Sequence, residues 1–353
     1  MRQPVILPVG QRTLAWLRQG GIPNRAAWIQ RCLLRWQSLW FERNLSLQHS
    51  LAPAPYLYAD PIFILGLWRS GTTYLHDLLS TCPEIISPRT WQCMNPSVFR
   101  LRPPPAADQV IRRPMDGVTI DALSPQEDEF ALLALGAPSV YRGFLDPRRL
   151  PELSGWLDPN AWSKQEPDDW LPPWLDFLAG VGDGKPGRLL LKSPNHTFRI
   201  RALAEIFPRA SYVWLVRDPL KTFLSNRKMW LAMFQRYALW HWDTALLDDF
   251  LCSALANSAK CLIHAKTSIP KERLVVISFD ELTESPLSTV EHINARLALG
   301  DWSRMHATIS RIVADRSSYR PDRYDLPVLT TETRALLAWL SVVQQEALIS
   351  HGL

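Results

Sequence analysis

The chain of 353 residues is 47% hydrophobic and 21% charged, a composition that supports a buried core and excludes a wholly disordered polypeptide. Thirty-nine basic residues against 34 acidic ones leave a net charge of +5, spread along the chain without a basic tail, so nucleic-acid binding has no compositional support. Five cysteines (Cys32, Cys82, Cys93, Cys252 and Cys261), odd in number and without CxxC spacing, argue against a disulfide scaffold or a zinc ribbon and for a reducing, cytoplasmic setting.

The first 21 residues lack the pattern of a secretory leader, and no apolar run is long enough to span a bilayer. Residues 1–55 read as a helical segment packed on the rest of a single domain covering residues 1–353. Within it, the Trp-, Leu- and Arg-rich stretch Thr13 to Arg43 fits either a helix seated on the domain or an amphipathic helix in peripheral contact with a membrane surface. Tyr58 to Leu65 reads as a strand ending at Gly66, and Tyr74, Leu75, Leu78 and Leu79 then fall at helical spacing.

From Val98 to Lys185 the pattern changes. Prolines cluster at 102–105 and 167–173, and Trp156, Trp162, Trp170 and Trp174 follow loop-like stretches, where they either wall an apolar pocket or close loops onto the core. Ser124, Pro125 and Glu127 have the form of a capping box for a helix running to Leu135, leaving Asp128 and Glu129 to face a pocket. The segment 98–185 reads as a cap inserted over the carboxyl ends of the strands, where an acceptor would bind.

Further strands are expected at Arg188 to Leu191, Ala210 to Val216 and Arg273 to Phe279, with helices at Phe198 to Phe207 and Leu220 to Phe234 between them. Asp218 before Pro219, and Ser285 before Pro286, mark two helix starts, and Thr331 to Leu348 reads as a final amphipathic helix. This alternation predicts an α/β fold of three layers, a central parallel sheet flanked by helices, with a helical and loop-rich cap.

The turn GLWRSGTT at Gly66 to Thr73 has the G-xxxx-G spacing of a phosphate loop in the required strand-to-helix position. Its N–H groups converge on an anion at the helix start. The lysine that precedes the hydroxyl residue in nucleotide-triphosphate loops is missing, and Arg69 supplies charge inside the loop instead, which favours a single phosphate or a sulfate-like group. The segment LLLKSPNH puts Lys192 and His196 just past a strand, the first suited to an anion and the second to accepting a proton. In VRDPLKTFLS, Arg217 ends a strand and Ser225 follows about two turns into a helix, a pair suited to grasping a phosphate.

With these three segments in order, the chain resembles the PAPS-dependent sulfotransferases, in particular the broad bacterial sulfotransferase family with its P-loop-like fold. The resemblance implies that Arg69, Ser70, Gly71, Thr72 and Thr73 bind the 5'-phosphosulfate, that Arg217 and Ser225 bind the 3'-phosphate, and that the basic loop carrying Arg320, Arg323 and Tyr324 closes over the nucleotide. PAPS (3'-phosphoadenylyl sulfate) is then the co-substrate, PAP the product, and no metal is needed. One departure stands out: many relatives have a glutamate after the tryptophan of a TW pair, whereas this chain has Gln92 after Thr90 and Trp91.

The activity so implied is transfer of a sulfuryl group to a hydroxyl or amine of a small-molecule, lipid or carbohydrate acceptor. Arg69 and Lys192 would stabilise the charge growing on the leaving phosphate oxygen. His196 is the first choice for the base, Glu127 or Glu129 the second. Two rivals remain: a P-loop kinase or NTPase using Asp280 and Glu281 as a magnesium-holding acid pair, and a catalytically weak PAP-binding adaptor of the same fold.

Overall fold

The computed structural model describes residues 10–21, 25–51, 60–105, 111–112, 119–164, 170–315 and 329–352. Its centre is a five-stranded parallel sheet formed by β1 (Ile62–Leu65), β2 (Ile85–Ile86), β5 (Arg188–Lys192), β6 (Ser211–Val216) and β7 (Leu274–Ser278), in the spatial order β2-β5-β1-β6-β7. A separate two-stranded antiparallel ribbon pairs β3 (Ile111–Arg112) with β4 (Thr119–Ile120). The expected α/β architecture is present, and four of the five central strands lie where apolar runs placed them. The two-residue β2 is too short to leave a periodic signal.

The four longer central strands are buried on both faces, which is why each reads as an apolar run rather than an alternation. Alternate residues nonetheless serve different cores. Phe63, Leu65, Leu191, Tyr212 and Trp214 point into one hydrophobic cluster, and Ile62, Ile64, Leu190, Val213 and Leu215 into the other. The first face is covered by the helices Pro219–Tyr237, Thr244–Ser268 and Thr331–His351, the second by Thr72–Leu79, Pro286–Leu297 and Trp302–Asp315. These are the three layers.

Parallel pairing puts all strand exits at one edge. Ile64 is in register with Lys192 and Val213, so the ends of β1, β5 and β6 emerge side by side around the central strand. Asp218 caps the helix after β6 by accepting from the Lys221 N–H at 2.7 Å, with Pro219 in the first turn, as the sequence pattern requires. Ser285 precedes the helix Pro286–Leu297 without a side-chain capping bond.

The stretch Thr13 to Arg43 does not form one helix. Gly20 and Gly21 end the helix Gln11–Gln19, and a second runs over Arg25–His49. The first docks on the residues after the ribbon: Thr13 donates to the Leu133 carbonyl at 3.0 Å and the Trp16 indole to Glu152 at 3.2 Å.

The tryptophans resolve in favour of the core. Trp162, Trp170 and Trp174 are buried and pack in succession, with ring centroids 5.7 and 5.5 Å apart, so they close the loops inward instead of lining a cavity.

Candidate active site

The loop after β1 is held open by its backbone. Gly66 and Gly71 adopt φ of +135° and +100°, and the non-glycine Arg69 sits at +67°. A Cβ at Gly66 would lie 2.6 Å from the Leu215 carbonyl oxygen, and one at Gly71 would lie 2.8 Å from the Phe279 ring, so both positions need glycine for space as well as for conformation. Side chains, three of them from neighbouring elements and one from the loop itself, take up four successive carbonyls. Thr197 donates to that of Gly66, Ser70 to that of Leu67, Asn226 to that of Trp68 and Arg217 to that of Arg69. With the acceptors tied down, the start of the helix Thr72–Leu79 presents the N–H groups that every first turn leaves without helical partners.

Arg69, Arg217 and Ser225 meet at the same edge. The Arg69 Nε donates to the Ser225 hydroxyl at 3.1 Å, and the Arg217 Nη1 donates to the Arg69 carbonyl at 2.6 Å. The Arg217 guanidinium lies 4.3 Å over the Phe279 ring, and its buried Nε has no partner among the described residues, a donor well placed for an anion. Ser225 uses a lone pair for Arg69 and keeps its own proton to donate.

Lys192 ends β5 and is 2% exposed. Its ammonium contacts Glu127 Oε1 at 2.6 Å and donates to Thr73 Oγ1 at 3.3 Å, so it spans from the loop to the segment ahead of the helix Glu129–Leu135. The other Glu127 oxygen accepts from the Tyr141 hydroxyl at 2.6 Å, and Tyr141 in turn accepts from the Trp68 indole at 3.1 Å. Tyr141 was not singled out from sequence. Burial, followed by the adjacent Glu127 charge, pushes its phenol well above its usual pKa and keeps it a donor.

Glu127 reaches this position because residues 88–91 run against residues 122–126. Thr90 and Trp91 donate to the carbonyls of Ser124 and Ala122, and Gln126 donates to that of Pro88. The capping box expected at Ser124 is absent. Ser124 instead donates to Asp121 at 2.8 Å, the helix starts at Glu129, and Glu127 is left to face the sheet edge.

The next two acids turn away from it. Asp128 and Glu129 are fully buried, contrary to the expectation that they face a pocket. Glu129 pairs with Arg199 through bonds of 2.5 and 3.0 Å; burial alone would raise its pKa, but the guanidinium holds it below the usual carboxylate range. Asp128 accepts from the Trp174 indole at 2.7 Å and faces His196 Nε2 at 2.9 Å.

His196 is likewise enclosed, with its ring 5.6 Å from Phe63 and 5.2 Å from Trp174 by centroids. Arginine can only donate, so the contact from Arg199 to Nδ1 at 3.4 Å makes that nitrogen an acceptor and leaves the proton on Nε2 for Asp128. Both nitrogens are used and neither faces solvent, which removes the reason for preferring His196 as the base. Glu129, fully occupied by Arg199, has the same difficulty.

Gln92 accepts from the Arg89 N–H at 2.8 Å, and so serves the start of its own helix, Thr90–Met94. Glu281 receives the Ser278 N–H at 2.7 Å and returns a bond to its hydroxyl, a capping box, while Asp280 is exposed. Neither acid is arranged to hold magnesium in the manner of a kinase. Among the described residues no group of His, Cys, Asp or Glu is arranged for a metal. Arg320, Arg323 and Tyr324 lie outside the described residues.

A family model described as "Sulfotransferase family" matches residues 61–304, more than half of the chain and all of the site just described. The chain belongs to the sulfotransferase family. It is 29% identical over 314 residues to the omega-hydroxy-beta-dihydromenaquinone-9 sulfotransferase Stf3 of Mycobacterium tuberculosis and of Mycobacterium bovis, covering 88% of this chain and 78% of those proteins. Two solved sulfotransferases share the fold. STF1 of Mycobacterium tuberculosis H37Rv has a TM-score of 0.65 at 19% identity, covering 93% of this chain and 90% of that one. STF9 of Mycobacterium avium has a TM-score of 0.64 at 20% identity, covering 89% and 81%. The sulfotransferase is thus an enzyme with the P-loop-like architecture.

Proposed function

We propose that this sulfotransferase takes its sulfuryl group from PAPS and passes it to a hydroxyl of a lipid-like acceptor. The observation that carries the donor is the meeting of Arg69, Arg217 and Ser225, which brings the loop after β1 and the exit of β6 into one anion-binding surface. A donor with phosphates at both 5' and 3' positions needs two such anion sites side by side. The Arg217 Nε, without a partner among the described residues, fits the second of them. The acceptor class rests on the named substrate of the Stf3 relatives, a menaquinone derivative bearing a hydroxyl.

PAPS supplies an activated sulfuryl group: the bond from sulfur to the bridging phosphate oxygen breaks as a new bond forms to the acceptor oxygen, and PAP leaves. Arg69, Lys192 and the first-turn N–H groups of Thr72–Leu79 are fixed before the reaction and favour the negative charge that grows on the phosphate side. Glu127 takes the acceptor's proton. Each carboxylate oxygen has a second lone pair beyond those facing Lys192 and Tyr141, and the side chain is 12% exposed. Lys192 and Tyr141 hold that carboxylate in one orientation. Thr73 and Ser70 complete the 5' side, Ser225 and Arg217 the 3' side.

The test is ligand-dependent stability together with transfer. PAP is expected to raise the melting temperature, and ATP with magnesium is not; 35S from labelled PAPS should pass to a hydroxylated isoprenoid or quinone extracted into organic solvent. No protection by PAP at millimolar concentration would sink the donor assignment. Protection by PAP with label passing only to sugars or water-soluble phenols would overturn the acceptor class.

A further inference from the structure

Among its described side chains, from Cys32 on, the helix Arg25–His49 turns one face to the domain and leaves the other uncovered. Ser38, Phe41 and Gln48 are buried beneath it. On the opposite side Leu33, Trp36, Trp40 and Leu47, with Leu51 just past its end, are all exposed, Trp36 at 76%. At 100° per residue these five fall within a sector of about 60°, and Leu39 widens it to about 120°, with Arg43 inside and Arg35 about 40° beyond it. A stripe of two tryptophans and four leucines facing solvent is larger than isolated surface apolar residues account for.

The charge beside the stripe has one sign. From Cys32 to His49 the helix carries Arg35 and Arg43 against the single acid Glu42. Glu42 is turned aside, accepting from the Gln11 N–H at 2.8 Å. Arg35 and Arg43 are exposed, and Arg102, from outside the helix, places its guanidinium 5.9 Å over the Trp40 ring. An apolar stripe rich in tryptophan with cationic margins complements an anionic bilayer surface, where the indoles sit at the headgroup level and the guanidiniums meet phosphates. Among the described residues no helix is long and apolar enough to cross a membrane, so the contact is one of lying on the surface.

We propose that the exposed face of the helix Arg25–His49, carried by Leu33, Trp36, Trp40 and Leu47 and flanked by Arg35, Arg43 and Arg102, docks this enzyme on an anionic membrane surface. The end of this helix is fastened close to the site. Gln48 donates to the Pro96 carbonyl at 2.9 Å and accepts from the Arg100 N–H at 3.1 Å, and residues 90–91, a few positions earlier, form the backbone pairing that leads into Glu127. That docking delivers a lipid-borne hydroxyl to Glu127 rests on the acceptor class proposed above; the docking itself does not.

Flotation of the full chain with vesicles tests it. Wild-type protein should float with vesicles of phosphatidylcholine containing about one third phosphatidylglycerol at low salt, and less with phosphatidylcholine alone or at high salt. Trp36→Gln with Trp40→Gln should weaken partition about tenfold or more on both vesicle types. Arg35→Gln with Arg43→Gln should weaken it only on the anionic vesicles and flatten the salt dependence. Both variants should keep the melting temperature and its rise with PAP, which separates loss of docking from loss of the donor site. Wild-type protein that stays unbound with every vesicle, or a Trp36/Trp40 variant that floats as well as wild type, would overturn the proposal. So would a wild-type dimer that the tryptophan variant dissociates, because a second copy would then be what covers the face.

Discussion

The Arg69 Nε donates to the Ser225 hydroxyl at 3.1 Å across 156 residues of chain. One residue belongs to the turn after the central strand, the other to the helix after its neighbour, and parallel pairing of β1 with β6 brings them together. The anion surface proposed for these residues separates two effects. Arg69→Ala should lower kcat by about 10²–10³-fold, because it removes charge where charge develops. Ser225→Ala should raise the KM for PAPS several-fold and leave kcat nearly unchanged. Steady-state kinetics with PAPS varied through its KM distinguishes them; equal loss of kcat in both variants would contradict the division of roles.

Glu127 and Tyr141 form a second such test. Glu127→Gln keeps the shape but cannot accept a proton and leaves the buried Lys192 without its counter-charge; it should lower the melting temperature, and in the folded fraction kcat should fall by about 10²–10⁴-fold with PAP affinity retained. Tyr141→Phe removes one bond to Glu127 and strands the buried Trp68 indole donor, so kcat should fall about tenfold with a smaller change in KM. Burst and steady-state rates with one acceptor, alongside PAP titrations, supply the comparison. A Glu127→Gln enzyme as fast as wild type would return the base to another residue.

His196→Asn should act on stability. Asp128 would keep only the Trp174 indole and lose its His196 partner inside a site walled by Phe63 and Trp174, and a fall of about 2–4 kcal/mol in unfolding free energy is expected, with kcat of the folded fraction close to wild type. Denaturant melts paired with active-site titration check this; an intact fold with a collapsed kcat would restore His196 to the chemistry.

The Arg199–Glu129 pair carries a pH signature. Its carboxyl is held below the usual range in the folded protein, so the pair stabilises the fold above the unfolded carboxyl pKa and that contribution disappears as pH falls through the folded one. Glu129→Gln should therefore cost about 3–5 kcal/mol near neutral pH, where Arg199 is left buried without a counter-charge. The gap between variant and wild type should narrow in acid. Melting curves from neutral pH down to about pH 3 would show it; a gap constant with pH would mean the destabilisation comes from packing and not from charge.

The parts legible in the sequence were those set by backbone periodicity and by strong local rules. The apolar strands, Gly66 and Gly71, and the Asp218-Pro219 helix start all declare themselves within a few residues, and the structure places them as read. Glu127, Asp128 and Glu129 show where that legibility ends. Three consecutive acids at a helix start point in three directions, to Lys192, His196 and Arg199. Which of them reaches the site depended on whether Ser124 capped a helix or bonded Asp121, a contest between two local partners of similar strength. A signal was nonetheless present: Lys192, His196 and Arg199 recur at intervals of four and three, the first at the end of β5 and the other two one turn apart in the short helix Pro194–Arg199, opposite three adjacent carboxylates.

Lys192 is almost wholly enclosed, and the closest counter-charge it meets comes from a different part of the chain. A transplant of another family member's acceptor-side segment onto this sheet would strand a cation in the interior unless it brought an acid to the same spot. New acceptor preferences in this scaffold are therefore easiest to reach by changes that leave the Glu127 position untouched, and segment swaps that ignore it should yield insoluble protein before they yield altered selectivity.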